Sequence, residues 1–303
     1  MARPDRPLAR CQHARTRPDP RPCSSLPERI ERSPPPVVIT ERWDEVKITP
    51  VRHATLLIEV SGLTALVDPM LGASGVHSSS EWVADRQPED LLVGLGVPLS
   101  ALLSPDVVVV THTHPDHWDA AAASLLSREV LILAQSDEDA ELLRGQGFVR
   151  VTVLDDEIKI GGVSFVRTDG QHPTEDGMRA ELDDDDAMGV VIRHPDEPVL
   201  YIAGDTIMHH EVRTALIHHR PDLIILNTGG RRADQTSRAL MNAGDIIDVL
   251  RFAPQARVIA VHMGALPEYS TSRDDVRRLA EDRGLTDSIL APENGESLVF
   301  SLM

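Results

Sequence analysis

Val107-Val108-Val109-Val110-Thr111-His112-Thr113-His114-Pro115-Asp116-His117-Trp118-Asp119 is the stretch that decides how this chain is read. Four consecutive valines predict a strand buried on both faces, and the polar cluster begins where such a strand would leave its sheet. His112 and His114 alternate in an extended segment, so their rings can point the same way, and Pro115 biases His114 away from helical geometry. Asp116 and His117 are then expected to open a helix over Trp118–Ser127 and to face a second point close to the first. Three imidazoles and a carboxylate crowded into one loop would destabilise it through unpaired polar groups unless a cation lay among them. The segment therefore reads as a metal site, with one loop serving two ions.

Working outward, Val46–Val51, Thr55–Val60 and Leu63–Val67 alternate in strand fashion, with Ser61-Gly62 as a hairpin turn. After the central motif, strands are expected at Val130–Leu133, Val149–Leu154, Glu157–Ile160 and Val163–Arg167, with a helix over Glu138–Gly145. Three later apolar runs each end in a residue that carries chemistry. Val199–Ala203 leads to Gly204-Asp205, Leu223–Leu226 to Asn227 and a Gly-rich turn holding Arg231, and Val258–Val261 to His262. Gly204 would let the backbone turn sharply so that Asp205 reaches inward. Helices are expected from His209-His210 to His219, over Ala243–Phe252 and over Arg273–Arg283, and a last strand over Ser297–Leu302. Strands clustered in each half, with helices between them, suit an α/β (α+β) arrangement of two packed sheets.

Residues 1–36 hold nine prolines and eight arginines against four acidic side chains, which predicts a disordered tail ahead of a single domain over 37–303. The chain has 303 residues and 41% hydrophobic content, enough for a substantial core. Its net charge is −18, which disfavours a polyanionic partner such as nucleic acid, because phosphate binding needs a basic surface. Both cysteines, Cys11 and Cys23, lie in the tail, so the domain carries neither a disulfide nor a thiolate ligand. No run approaches the roughly 18 apolar residues that span a bilayer. The expected setting is the cytoplasm, with a small-molecule substrate, no nucleic acid and no membrane; self-association into a homo-oligomer is left open.

The motif Thr111-His112-x-His114-x-Asp116-His117 resembles the signature of the metallo-β-lactamase superfamily. The segments Val51–Glu59 and Val67-Asp68-Pro69 are similar to the opening strands of its ascorbate-lactonase-like branch of metal-dependent hydrolases. The resemblance runs from about residue 46 to the C-terminus. It implies a four-layer αββα sandwich with the site along one edge, and it adds His172 in Gly170-Gln171-His172-Pro173 to Asp205 and His262. On that resemblance His112, His114 and His172 would hold one metal, and Asp116, His117 and His262 a second, with Asp205 bridging. The ions are expected to be divalent, zinc first, with manganese or iron also fitting the oxygen-rich second site. Two such ions would lower the pKa of a bridging water towards roughly 7, giving a hydroxide nucleophile, and Asp116 could relay the proton to the leaving group. The expected activity is hydrolysis of a small ester, lactone or amide; the alternative is a phosphodiesterase or nuclease on the same dinuclear site. β-Lactamases that use cysteine at the position of Asp205 are excluded by the cysteine count.

By the same resemblance His53 and Asp68 approach the metals, and Asp68 could accept a hydrogen bond from a ligand imidazole and fix its tautomer. A packed histidine and a turn aspartate are the plainer readings. Asn227 and Arg231 could touch substrate, although exposed arginines are commoner. Trp82 could pack on a ligand or simply anchor its Gly/Ser/Pro-rich segment, and Asp183–Asp186 read as a solvated loop that would repel anionic substrates if it covered the mouth. His209 and His210 read as surface residues.

Overall fold

The computed structural model describes residues 45–74, 92–170, 188–230, 240–266 and 270–302. The tail, His77, Trp82, His172, Asp183–Asp186 and Arg231 lie outside them. The chain divides into two units, 1–41 and 42–303, and every described residue belongs to the second.

The first sheet takes β1 (Glu45–Arg52), β2 (Thr55–Val60), β3 (Leu63–Val67), β4 (Val107–Val110), β5 (Leu131–Ala134) and β6 (Val151–Val153) in that spatial order. The second takes β7 (Glu157–Ile160), β8 (Val163–Asp169), β9 (Met188–Arg193), β10 (Leu200–Ile202), β11 (Leu223–Asn227), β12 (Arg257–Val261) and β13 (Ile289–Leu290). The last strand, β14 (Leu298–Ser301), returns to pair antiparallel with β1, so both sheets have seven strands.

Side-chain alternation explains the layers. Val107 and Val109 point into the core between the sheets with Ile58, Phe165, Ile202, Ile225 and Ile259. Val108 and Val110 point the other way, against α1 (Ala120–Leu125) and α2 (Asp137–Gly145). The outer face of the second sheet, including Ile224, Leu226, Val258 and Ala260, packs on α3 (His210–His219), α4 (Ala243–Phe252) and α5 (Arg273–Arg283). Every valine of β4 is thus buried on one side or the other, giving the αββα order of layers.

One expected boundary is corrected. The helix after the histidine motif starts at Ala120 rather than at Trp118, and Asp116 and His117 sit in the turn before it. Asp119 is the N-cap, its carboxylate accepting from the N–H of Ala122, while the N–H groups of His117 and Trp118 both return to the carbonyl of His114. A capping aspartate two residues beyond His117 holds the motif as a loop. The strand expected over Val149–Leu154 shortens to β6, and β9 was not anticipated because its residues follow the acidic run directly.

Candidate metal centre

Strand direction brings the chemistry to one edge. β1 and β3 are each antiparallel to β2 and so run the same way, and β4 is parallel to β3. The residues just past their ends are His53, Asp68 and the Thr111–His117 loop. In the second sheet β10, β11 and β12 are parallel, and their ends supply Asp205, Asn227 and His262. In open α/β sheets the carboxyl ends of parallel strands are where ligands collect.

Four of these exits turn through left-handed backbone: His53 (φ 55°), Asp68 (φ 45°), His262 (φ 66°) and Gly204 (φ 69°). For a residue other than glycine such a conformation costs about 1–3 kcal/mol. Of the five non-glycine residues with positive φ among those described, three are here. At Gly204 a Cβ would stand 2.6 Å from the carbonyl oxygen of Met188, so the turn before Asp205 admits only glycine.

The side chains form one buried, connected cluster. His117 Nδ1 meets Asp68 Oδ2 at 2.9 Å, and Asp68 also accepts from the Thr111 N–H and hydroxyl, both at 2.8 Å. With Nδ1 turned to that carboxylate, Nε2 of His117 is the ring atom that faces the centre. There it lies 3.2 Å from Asp205 Oδ2 and 3.2 Å from His262 Nε2. Asp205 Oδ1 is 3.4 Å from His262 Nε2 and accepts from Asn227 Nδ2 at 2.5 Å. Asp116 Oδ2 is 3.1 Å from His53 Nε2 and 3.8 Å from His262 Nε2. The His112 ring packs 4.0 Å from that of His117 and 4.3 Å, edge-on, from that of His114.

Ligand-type atoms of His112, His117 and Asp205 all lie within 4.8 Å of one another, and so do those of His53, Asp116 and His262. The family resemblance divides the residues differently: it pairs His117 with Asp116 and His262, and leaves His53 outside. His53 lies against Asp116 and His117 beside His112, with His262 close to both His117 and Asp116, while His114 belongs to neither group among the described residues. Asn227, weighed as a substrate contact, is occupied in holding Asp205.

Burial opposes charge throughout, yet the two carboxylates nearest the imidazoles stay ionised. It works against the Asp116 carboxylate, but the hydrogen bond from His53 and the nearby His117, His53 and His262 hold that carboxyl well below the usual range. Burial likewise opposes Asp205, and His262, His117 and His112 outweigh it. His117 is pulled well above the ordinary imidazole value, with Asp205 and Asp68 overcoming burial, whereas burial drives His262 well below it. Imidazole and carboxylate atoms from separate strands, aimed at one another at about hydrogen-bond distance in a buried space, fit a site for divalent cations.

Two supporting contacts were not legible beforehand. Arg52 is fully buried and donates to the carbonyls of Gly72 (2.9 Å), Val93 (3.3 Å) and Met70, pinning the segments that follow Asp68. Thr113, between two motif histidines, donates to Asp139 Oδ1 of α2 at 2.5 Å, which ties the loop to a helix.

Fold and centre together define a metal-dependent hydrolase of the β-lactamase type. The β-lactamase superfamily domain matches residues 64–263, and the chain belongs to that superfamily. It is 32% identical over 256 residues to the UPF0173 protein YddR of Bacillus subtilis, covering 84% of this chain and 100% of that one. Among solved structures, it is similar to the isothiocyanate hydrolase from Delia radicum gut bacteria, with a TM-score of 0.78 and 36% identity over 84% of this chain and 100% of the other. It is also similar to a possible metal-dependent hydrolase from Veillonella parvula, with a TM-score of 0.76 and 32% identity over 83% and 98% of the two chains.

Proposed function

We propose that this chain hydrolyses a small, uncharged electrophilic substrate, an ester, lactone or amide, at a centre for two divalent ions, zinc first. The observation that carries this reading is the convergence of His53, His112, Asp116, His117, Asp205 and His262 from strand ends of both sheets into two adjoining groups of ligand atoms. His114 and His172 complete the set we assign to the metals. Ions held there would polarise the carbonyl oxygen and bring the pKa of water towards about 7.

The protein's own part is to orient and to move protons. Asp68 fixes the tautomer of His117 through Nδ1, and Asn227 holds Asp205. Asp116 is the carboxylate best placed for proton transfer: its side chain is 18% exposed, against 2% for Asp68 and 4% for Asp205. It is ionised at neutral pH, so it can take a proton from attacking water and return it to the leaving group.

A second reading is supported by the likeness to the isothiocyanate hydrolase. An isothiocyanate is also small and uncharged, and its central carbon accepts water, releasing an amine and carbonyl sulfide. The phosphodiester alternative is disfavoured by the net charge of −18. We place the protein in the cytoplasm, acting on small molecules rather than on nucleic acid; no helix among the described residues is long and apolar enough to cross a membrane.

The test is elemental analysis of the purified protein together with a substrate panel of lactones, esters, amides, thioesters, aryl and alkyl isothiocyanates and bis-(p-nitrophenyl) phosphate. Turnover of a carbonyl substrate or of an isothiocyanate, lost on chelation, is the expected result and decides between the two readings. Hydrolysis of the phosphodiester alone, unaffected by lactone competitors, would reverse the assignment.

A further inference from the structure

Beyond the strand-end centre, a second constellation of ligand side chains stands at the start of α3. His209, His210 and Glu211 each offer one ligand atom, and these atoms lie within 4.8 Å of one another. The two carboxylate oxygens of Glu211 are shared out. Oε2 faces His209 Nδ1, and Oε1 faces His210 Nε2 at 2.5 Å. The two rings are almost perpendicular, 81° apart, with centroids separated by 5.7 Å.

The tautomer of His209 gives this arrangement its meaning. Its Nε2 lies 3.2 Å from the hydroxyl of Thr206, a buried residue next to Asp205. That hydroxyl is also 3.2 Å from the carbonyl of Ile207, and when it donates there it accepts from a hydrogen on Nε2 of His209. Nδ1 of the neutral ring is then a lone pair facing the carboxylate of Glu211. In that tautomer a cation set between the two electron-rich atoms satisfies both. One cationic side chain, Arg213, follows on the same helix. Arg213 itself does not occupy the gap, for its guanidinium lies over the ring of Phe252.

We propose that His209, His210 and Glu211 form a separate site for one imidazole-preferring divalent cation such as zinc, with Thr206 holding His209 in the ligating tautomer. Two imidazoles and one carboxylate suit zinc or nickel better than calcium or magnesium, which prefer oxygen. The side chain of His209 is 10% exposed, that of Glu211 32% and that of His210 81%. One ligand is therefore fixed in the fold, while the other two can close on the ion from solvent. A cation there would tether the first turn of α3 to Thr206 and so to the segment that carries Asp205.

The test compares zinc bound by the full chain and by its His210→Ala and Glu211→Gln variants. Each protein is stripped with chelator and then equilibrated by dialysis against excess zinc. Each variant is expected to hold one equivalent less than the parent and to keep its hydrolytic activity and circular dichroism. Equal zinc content in all three proteins overturns the proposal, and so does the loss of more than one equivalent, which would assign these residues to the strand-end centre. Because the readout is a difference, it stands whatever number of ions that centre holds.

Discussion

His262 donates its backbone N–H to the carbonyl oxygen of His53 at 3.1 Å, and their imidazole centroids lie 3.6 Å apart. One residue leaves the second sheet and the other leaves the first, so this single bond joins the two sheets at the site edge. Both hold left-handed backbone. Strain of that kind persists only where surrounding contacts over-determine it, and here it aims two imidazoles at Asp116.

Replacing either histidine with asparagine should therefore separate the backbone from the ligand. Asparagine tolerates left-handed φ, so His53→Asn and His262→Asn are expected to unfold within a few degrees of the parent in chelator while losing bound metal and hydrolysis. Valine at either position should in addition destabilise by about 1–3 kcal/mol. Thermal melts in EDTA and metal analysis check both, and an asparagine variant with full activity removes that residue from the centre.

Asp68 touches His117 from the side away from the other ligands. Asp68→Asn keeps an acceptor for the Thr111 N–H but sets an amide against the ring hydrogen of His117. The expected loss in metal affinity or turnover is about 10- to 100-fold, typical for a partner that orients a ligand, with the fold retained. Parent-like metal titration and kinetics would make Asp68 a turn residue only.

Removing the metal should be visible in stability as well as in activity. An ion present at about 100 times its dissociation constant stabilises by about 2.7 kcal/mol, which for a domain of this size raises the melting midpoint by roughly 5–10 °C. EDTA should remove that increment together with hydrolysis, and zinc should restore both. A midpoint insensitive to EDTA and to added zinc would mean that the cluster binds no ion.

Asp139 provides a pH test away from the ligands. Burial raises its carboxyl above the ordinary value; the Thr113 hydroxyl opposes this, and Glu138 and Asp68 add to it. An acid with a raised folded pKa favours the fold below the unfolded pKa, and that advantage is lost as pH rises through the folded value. Asp139→Asn keeps an acceptor for Thr113 and removes the ionisation. It is expected to melt higher than the parent at pH 7 and to lose that advantage at pH values below the ordinary carboxylate range. A gain independent of pH would refute the electrostatic cause.

Much of the fold was legible because periodicity reports burial directly. Thr55–Val60, Leu63–Val67, Glu157–Ile160, Ala243–Phe252 and Arg273–Arg283 occur at the expected bounds. Boundaries failed where a side chain outside the hydrophobic pattern decided them, as when Asp119 capped α1 two residues later than expected. The short β13 offered two residues and so no period to read.

The sequence by itself determined which side chains could carry chemistry, because each follows an apolar run that must end at a sheet edge: Val107–Val110 before His112, Ala203 before Asp205, Val261 before His262. That pattern, with the Thr111–His117 motif, also determined the superfamily. Only the tertiary structure decided who faces whom. It set His53 against Asp116 and His117 against Asp68 and Asp205, because these neighbours come from strand ends far apart in the chain. Their approach depends on strand direction, left-handed exits and the packing of one sheet on the other, none of which local sequence encodes.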